Sequence, residues 1–131
     1  MSCKNGYFIQ AKPGKYNGHE YASQLEIRTA KLLDEHGIAF TPHQKFAVKH
    51  RNGKPFTYNV DFVFDYPQKI VGISKLITFL EVKGVVTPHD IHRMDALEYR
   101  TNSSGYIATT DTISMWERCG MRTTVKRIHG G

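Results

Sequence analysis

The chain has 131 residues, the size of one ordinary domain, and its 40% apolar content, with seven Phe and seven Tyr, supplies one core. Eighteen Lys and Arg against twelve Asp and Glu give a charge of +6, which suits a polyanionic partner but also serves solubility alone. Two cysteines without a CxxC pair exclude a disulfide framework, no apolar stretch nears the ~20 residues of a membrane span, and the opening MSCKNGYFIQAKPGKYNG has no signal-peptide core, so a soluble cytoplasmic protein is expected.

Residues 1–19 are rich in Gly, Lys and Asn without a clear period, and read as a basic arm. Lys4, Lys12 and Lys15, interleaved with Tyr7 and Tyr16, suit a phosphate backbone; a disordered tail is the plain alternative. A single domain is expected over 20–131. Its first element is a helix over about 20–36, with Leu25, Thr29, Leu32, Leu33 and His36 at helical spacing. Ser23 and Glu26 have the form of a capping box, and Gly37 is a stop.

Three strands follow. FTPHQKFAVKH is the first, and RNGK after it reads as a hairpin turn. FTYNVDFVFDY is the second, with Tyr58, Val60, Phe62 and Phe64 on one face, Asp61 and Val63 on the other, and Pro67 closing it. KLITFLEVKG is the third. TPHDIHRMDALEYR then reads as a helix, SGYIATT as a short strand, DTISMWERCG as a helix and MRTTVKRI as a last strand. This order predicts an α/β fold with a central mixed sheet flanked by helices.

The third strand ends unusually. Glu81 and Lys83 are two positions apart, so they share a face. An antiparallel pairing with the second strand would bring Asp61 beside Glu81. Two close carboxylates repel unless a positive charge lies between them. Mg²⁺ is the natural partner, with Mn²⁺ a substitute; Asp61, Glu81 and the backbone carbonyl of Val82 are its candidate ligands. Lys83 would then orient water or stabilise charge at a phosphorane. The plain reading is a solvent-facing Asp61 and a surface Glu81–Lys83 pair worth about 0–1 kcal/mol. The apolar run Ile77, Phe79, Leu80 and Val82 argues for burial, where unpaired charge is costly.

Asp61 with Glu81-Val82-Lys83 resembles the PD-(D/E)xK nuclease superfamily, the restriction-endonuclease-like fold. The proline that often precedes the first acid is absent, since the sequence there reads NVD. Glu26, in SQLEIR, stands where members carry a metal-supporting acid on the first helix; its plain role is a helix cap. The element order matches an αβββαβ core, over roughly residues 20 to 110, with an extra helix and strand. In layout the chain is most similar to small phage-type and junction-resolving endonucleases. That resemblance implies Mg²⁺-dependent cleavage of DNA by catalytic Asp61, Glu81, Lys83 and Glu26. It also implies 5′-phosphate and 3′-hydroxyl ends, a homodimer, and a phage or mobile-element source.

Gln44, Lys45, Lys49, Arg51 and Lys54, around the hairpin turn, are candidate nucleic-acid contacts, as are His89, His92 and Arg93 on the helix after the EVKG strand. The plain reading is a solvated turn and an exposed helix face. Arg100, Arg118, Arg122, Lys126 and Arg127 join them if the chain is a nuclease. No HExxH or Cys–His cluster supports structural zinc. Three alternatives stand beside this reading: a sequence-specific restriction or homing enzyme on the same core, a non-catalytic nucleic-acid-binding module, and an RNA-processing nuclease or a protein-interaction subunit of a larger machine.

Overall fold

The computed structural model describes residues 12–122. Within them the order is β1 (Gly14–Tyr16), β2 (His19–Tyr21), α1 (Gln24–Glu35), β3 (Phe40–Lys49), β4 (Pro55–Gln68), β5 (Ile77–Val82), α2 (Pro88–Thr101), β6 (Gly105–Ala108) and α3 (Thr110–Cys119). Strands β3-β4-β5-β6 form one mixed sheet, antiparallel except for the parallel β5–β6 pair. The expected α/β class with a central mixed sheet is therefore observed. Among the described residues, no helix is long and apolar enough to cross a membrane.

Local chemistry sets the helix ends. Ser23 caps α1 by accepting the Glu26 amide at 3.2 Å. At the other end Gly37, at φ 67°, lets the Gly37 and Ile38 amides reach the carbonyls of Asp34 and Leu33. A capping box between Thr87 and Asp90, with Pro88 just inside, starts α2.

Two apolar clusters sandwich the sheet. One joins Ile27 and Leu33 of α1 and Ile113 and Trp116 of α3 to Phe62, Phe64, Leu80 and Val82. The other joins Met94 and Leu97 of α2 to Val48, Tyr58, Val60 and Phe79. Arg28 bridges α1 to α3 through both carboxylate oxygens of Glu117, at 3.0 and 2.7 Å.

Three sequence expectations need correction. Tyr58, Val60, Phe62 and Phe64 do not share a face: the first two belong to the α2 cluster and the last two to the α1–α3 cluster. Strict alternation would keep them together, so the ribbon changes faces between Val60 and Phe62, at Asp61. On β3 the residue facing this switch is His43, which has φ 56°. Pro67 does not close β4, which runs on to Gln68 across a register shift between Val63 and Gln68. Such an irregularity accommodates a residue that cannot donate to the ladder. Finally, the stretch read as an arm ends in the β1–β2 hairpin, where the Tyr16 hydroxyl donates to Asp34 of α1 at 2.7 Å. Lys4, Tyr7, Lys126, Arg127 and most of the last expected strand lie outside the described residues.

Candidate metal centre

The β4–β5 register pairs Phe62 with Leu80 and Val63 with Phe79. One step further, Asp61 meets Glu81, and side chains replace the backbone ladder. The Asp61 amide donates to Glu81 Oε1 at 3.1 Å, and the Val82 amide donates to Asp61 Oδ2 at 2.8 Å. Each carboxylate thus accepts an amide of the opposing strand. In an extended strand one residue's N–H and C=O point to the same edge, so the Val82 carbonyl also faces the β4 side.

Glu81 is buried, at 3% exposure. Lys83 is anchored by its amide to the Ala108 carbonyl of β6 at 2.9 Å. Its Nζ stands 3.6 Å from Glu81 Oε2 and 3.7 Å from Asp90 Oδ1. Asp90 is itself fixed, because its Oδ2 accepts the Thr87 amide at 2.9 Å and the Thr87 hydroxyl at 3.0 Å. The cap that starts α2 therefore holds one side of the lysine, and the strand end holds the other.

Helix α1 approaches Asp61 from the opposite face. Glu26, buried in its first turn, accepts the Ala22 amide at 3.4 Å and lies 3.2 Å from His43 Nε2, both through Oε1. The His43 ring packs on Tyr21 at 5.3 Å, and Tyr21 stacks on Phe62 at 6.0 Å. Donor atoms of Glu26, His43 and Asp61 all lie within 4.8 Å of one another, so this trio can hold a metal ion. Sequence spacing grouped Asp61 with Glu81 and the Val82 carbonyl; Glu81 is not a member of the trio. The Glu26 and Asp61 oxygens suit Mg²⁺, whereas the His43 nitrogen departs from the oxygen shell that ion prefers.

The electrostatics follow from this crowding. Withdrawal from water is the largest influence on Asp61, the charges of Glu81 and Glu26 add to it, and the carboxyl is pushed up to about 8. Withdrawal from water also raises Glu81, against the Asp61 amide, Lys83 and Arg93. Burial opposes ionisation of Asp90 too, but the Thr87 amide and hydroxyl, with Lys83 and Arg93, outweigh it and hold that carboxyl below its ordinary value.

The candidate nucleic-acid contacts divide into two groups. Arg93 belongs to the site: its guanidinium lies 4.6 Å over the Tyr58 ring, and its charge acts on Glu81 and Asp90. His92 joins the hairpin to α2, its ring parallel to His50 at 5.7 Å, while His50 stacks on Phe56 at 4.1 Å. Gln44, Lys45, Lys49, Arg51, Lys54 and His89 are exposed, along β3, in the turn and in the first turn of α2. Among the more remote basic residues, Arg100 donates to the Ala47 carbonyl, Arg118 to the Ser114 carbonyl and Arg122 to Gln68.

Sequence reasoning missed His43 and the contact of Asp90 with Lys83. His43 carries no ligand spacing of its own, and only the observed strand register reveals it. The hairpin closed by the His50 amide on the Lys54 carbonyl fixes a register in which Gln44 pairs Val60 and Pro42 pairs Phe62. His43 must then face Asp61.

The raised Asp61 carboxyl makes a testable statement about stability. Between its unfolded value near 4 and its folded value near 8 the native chain holds a proton that the unfolded chain has lost. The metal-free protein should lose stability as pH rises through that window and level off above it. Asp61→Asn removes the charge and keeps an oxygen for the Val82 amide. It should flatten this slope and raise the melting temperature at pH 8 by about 3–6 °C. Thermal melts across pH in chelator check both, and an unchanged slope would contradict the account.

Comparison with protein-family models, with curated proteins and with solved structures returned no match for this chain, so the site rests on its own geometry.

Proposed function

We propose that the chain is a metal-dependent endonuclease of restriction-endonuclease-like architecture that hydrolyses DNA phosphodiester bonds and selects branched substrates. The observation that carries this reading is the convergence of Glu26, Asp61 and Glu81 on one strand junction, with Lys83 clamped beside them. Like charges so placed are costly for folding alone and are expected where a cation and a phosphate are handled.

A bound divalent ion would neutralise charge at the scissile phosphate and acidify water. Glu26 and Asp61 would hold the ion, while Glu81 fixes the Asp61 amide and one side of Lys83. The Lys83 ammonium would face the reacting phosphate and stabilise charge as a water oxygen attacks phosphorus. The attacking water would release its proton to solvent, the bond to the 3′ oxygen would break, that oxygen would take a proton from solvent, and a 5′-phosphate and a 3′-hydroxyl would remain. Arg93 and the basic β3–β4 ribbon supply the surface for the DNA. From His43 to Lys49 that ribbon runs roughly 20 Å at ~3.3 Å per residue. Cutting both strands of a junction needs two such sites, so we place the active form as a homodimer.

A labelled panel of linear duplex, single strand, nicked duplex, flap and four-way junction tests this, with each divalent ion or EDTA. Wild type should cut the junction fastest and only with metal. Glu81→Ala and Lys83→Ala should each lower the rate by about 10²–10⁴-fold. Preference for one linear sequence would favour a site-specific enzyme. Binding without cutting under every ion would leave a nucleic-acid-binding module.

Asp90 is a positioning residue on this account. Asp90→Asn keeps an acceptor for the Thr87 amide but drops the charge facing Lys83. It should lower the melting temperature modestly, because the folded state stabilises that charge, and leave the junction affinity near wild type while lowering kcat by about ten- to a hundredfold. A variant that loses stability but keeps kcat would reduce Asp90 to a helix cap.

A further inference from the structure

The resemblance drawn from the sequence implies Mg²⁺, and the donor set disagrees with it. Mg²⁺ demands near-ideal octahedral oxygen coordination and dehydrates reluctantly. Imidazole nitrogen suits borderline first-row transition ions instead. Among the described residues the metal-competent trio is two carboxylates and one imidazole, Glu26, Asp61 and His43.

We propose that His43 is a nitrogen ligand that selects a first-row transition ion over Mg²⁺; Mn²⁺, the weakest imidazole binder of that series and the nearest to Mg²⁺ in its preference for oxygen, is the most demanding probe of it. This rests on the reading of the trio as the metal centre. Three features place the imidazole for that task. Its backbone sits at φ 56° inside a strand, which removes His43 from the alternation of β3. Its ring is held against the buried Tyr21. Its Nε2 points toward the Glu26 oxygen that shares the site, at 3.2 Å. A histidine serving only as an ion-pair partner for Glu26 would not need donor atoms within reach of Asp61 as well.

The test reads metal binding rather than cleavage. The full chain, stripped with chelator, is titrated with MnCl₂ and with MgCl₂ by calorimetry, and the Mn²⁺-loaded protein is examined by pulsed EPR for coupling to ¹⁴N. His43→Asp and His43→Asn are measured alongside; both residues tolerate a positive φ, and thermal melts establish that they fold. Wild type should bind Mn²⁺ more tightly than Mg²⁺ and show imidazole ¹⁴N coupling. His43→Asn should lose the coupling and weaken Mn²⁺ binding by at least about tenfold. His43→Asp, which makes the set all oxygen, should lose the coupling and shrink the Mn²⁺ to Mg²⁺ preference. Tight Mn²⁺ binding without ¹⁴N coupling in wild type would overturn the role of His43 while leaving the metal centre standing. So would a preference unchanged in His43→Asp. Failure of both ions to bind wild type would overturn the metal centre itself.

Discussion

The structure turns on a fork in the sheet. Where β4 and β5 stop pairing through their backbones, Asp61 and Glu81 each accept an amide of the opposite strand. Taking a carboxylate out of water costs roughly several kcal/mol even after relaxation. Two amides, Lys83 and Arg93 offset part of that cost at Asp61 and Glu81. The remainder appears as a proton that Asp61 retains near neutral pH. A cation that displaces this proton would relieve the same strain, so the energetics of the fold and the chemistry of the site are one problem.

Each element near the fork serves it. The β3–β4 ribbon changes faces at His43 and Asp61, so α1 reaches Asp61 from one side of the sheet while α2 reaches Lys83 and Glu81 from the other. From one face α1 brings Glu26, in a first turn set by the Ser23 cap. From the other α2 brings Asp90, in a first turn set by the Thr87 cap, and Arg93 about one turn further on. Helix N-termini are where backbone amides and capping side chains are already fixed, so side chains there are placed with little freedom. The parallel pairing of β5 with β6 then holds the backbone of Lys83 while its side chain spans two carboxylates.

Much of this was legible in the sequence because it depends on local rules. The Ser23 and Glu26 spacing, the RNGK turn and the i, i+2 relation of Glu81 and Lys83 need only helix and strand periods, and the structure follows them except that the capping box is half formed: Ser23 caps the Glu26 amide, while the Glu26 carboxylate accepts the Ala22 amide rather than that of Ser23. The change of face at Asp61 was hidden because Tyr58, Val60, Phe62 and Phe64 alternate faultlessly; only packing against two different helices reveals the switch. His43 was hidden by its neighbours, since a histidine after a proline in a partly alternating strand carries no ligand spacing of its own. The Asp90 contact depends on where α2 lands after a loop, which no period encodes. The continuation of β4 through Pro67 depends on a register shift that one strand's sequence does not announce.

On the proposed reading, Glu26, His43 and Asp61 make the fork at Asp61 a metal centre. Anomalous diffraction from crystals of the full chain grown with Mn²⁺, recorded on either side of the Mn absorption edge, tests it most directly. A strong anomalous peak is expected within bonding distance of Asp61, Glu26 and the His43 imidazole. A peak confined to other residues, or a well-ordered site with no peak at saturating Mn²⁺, would contradict it.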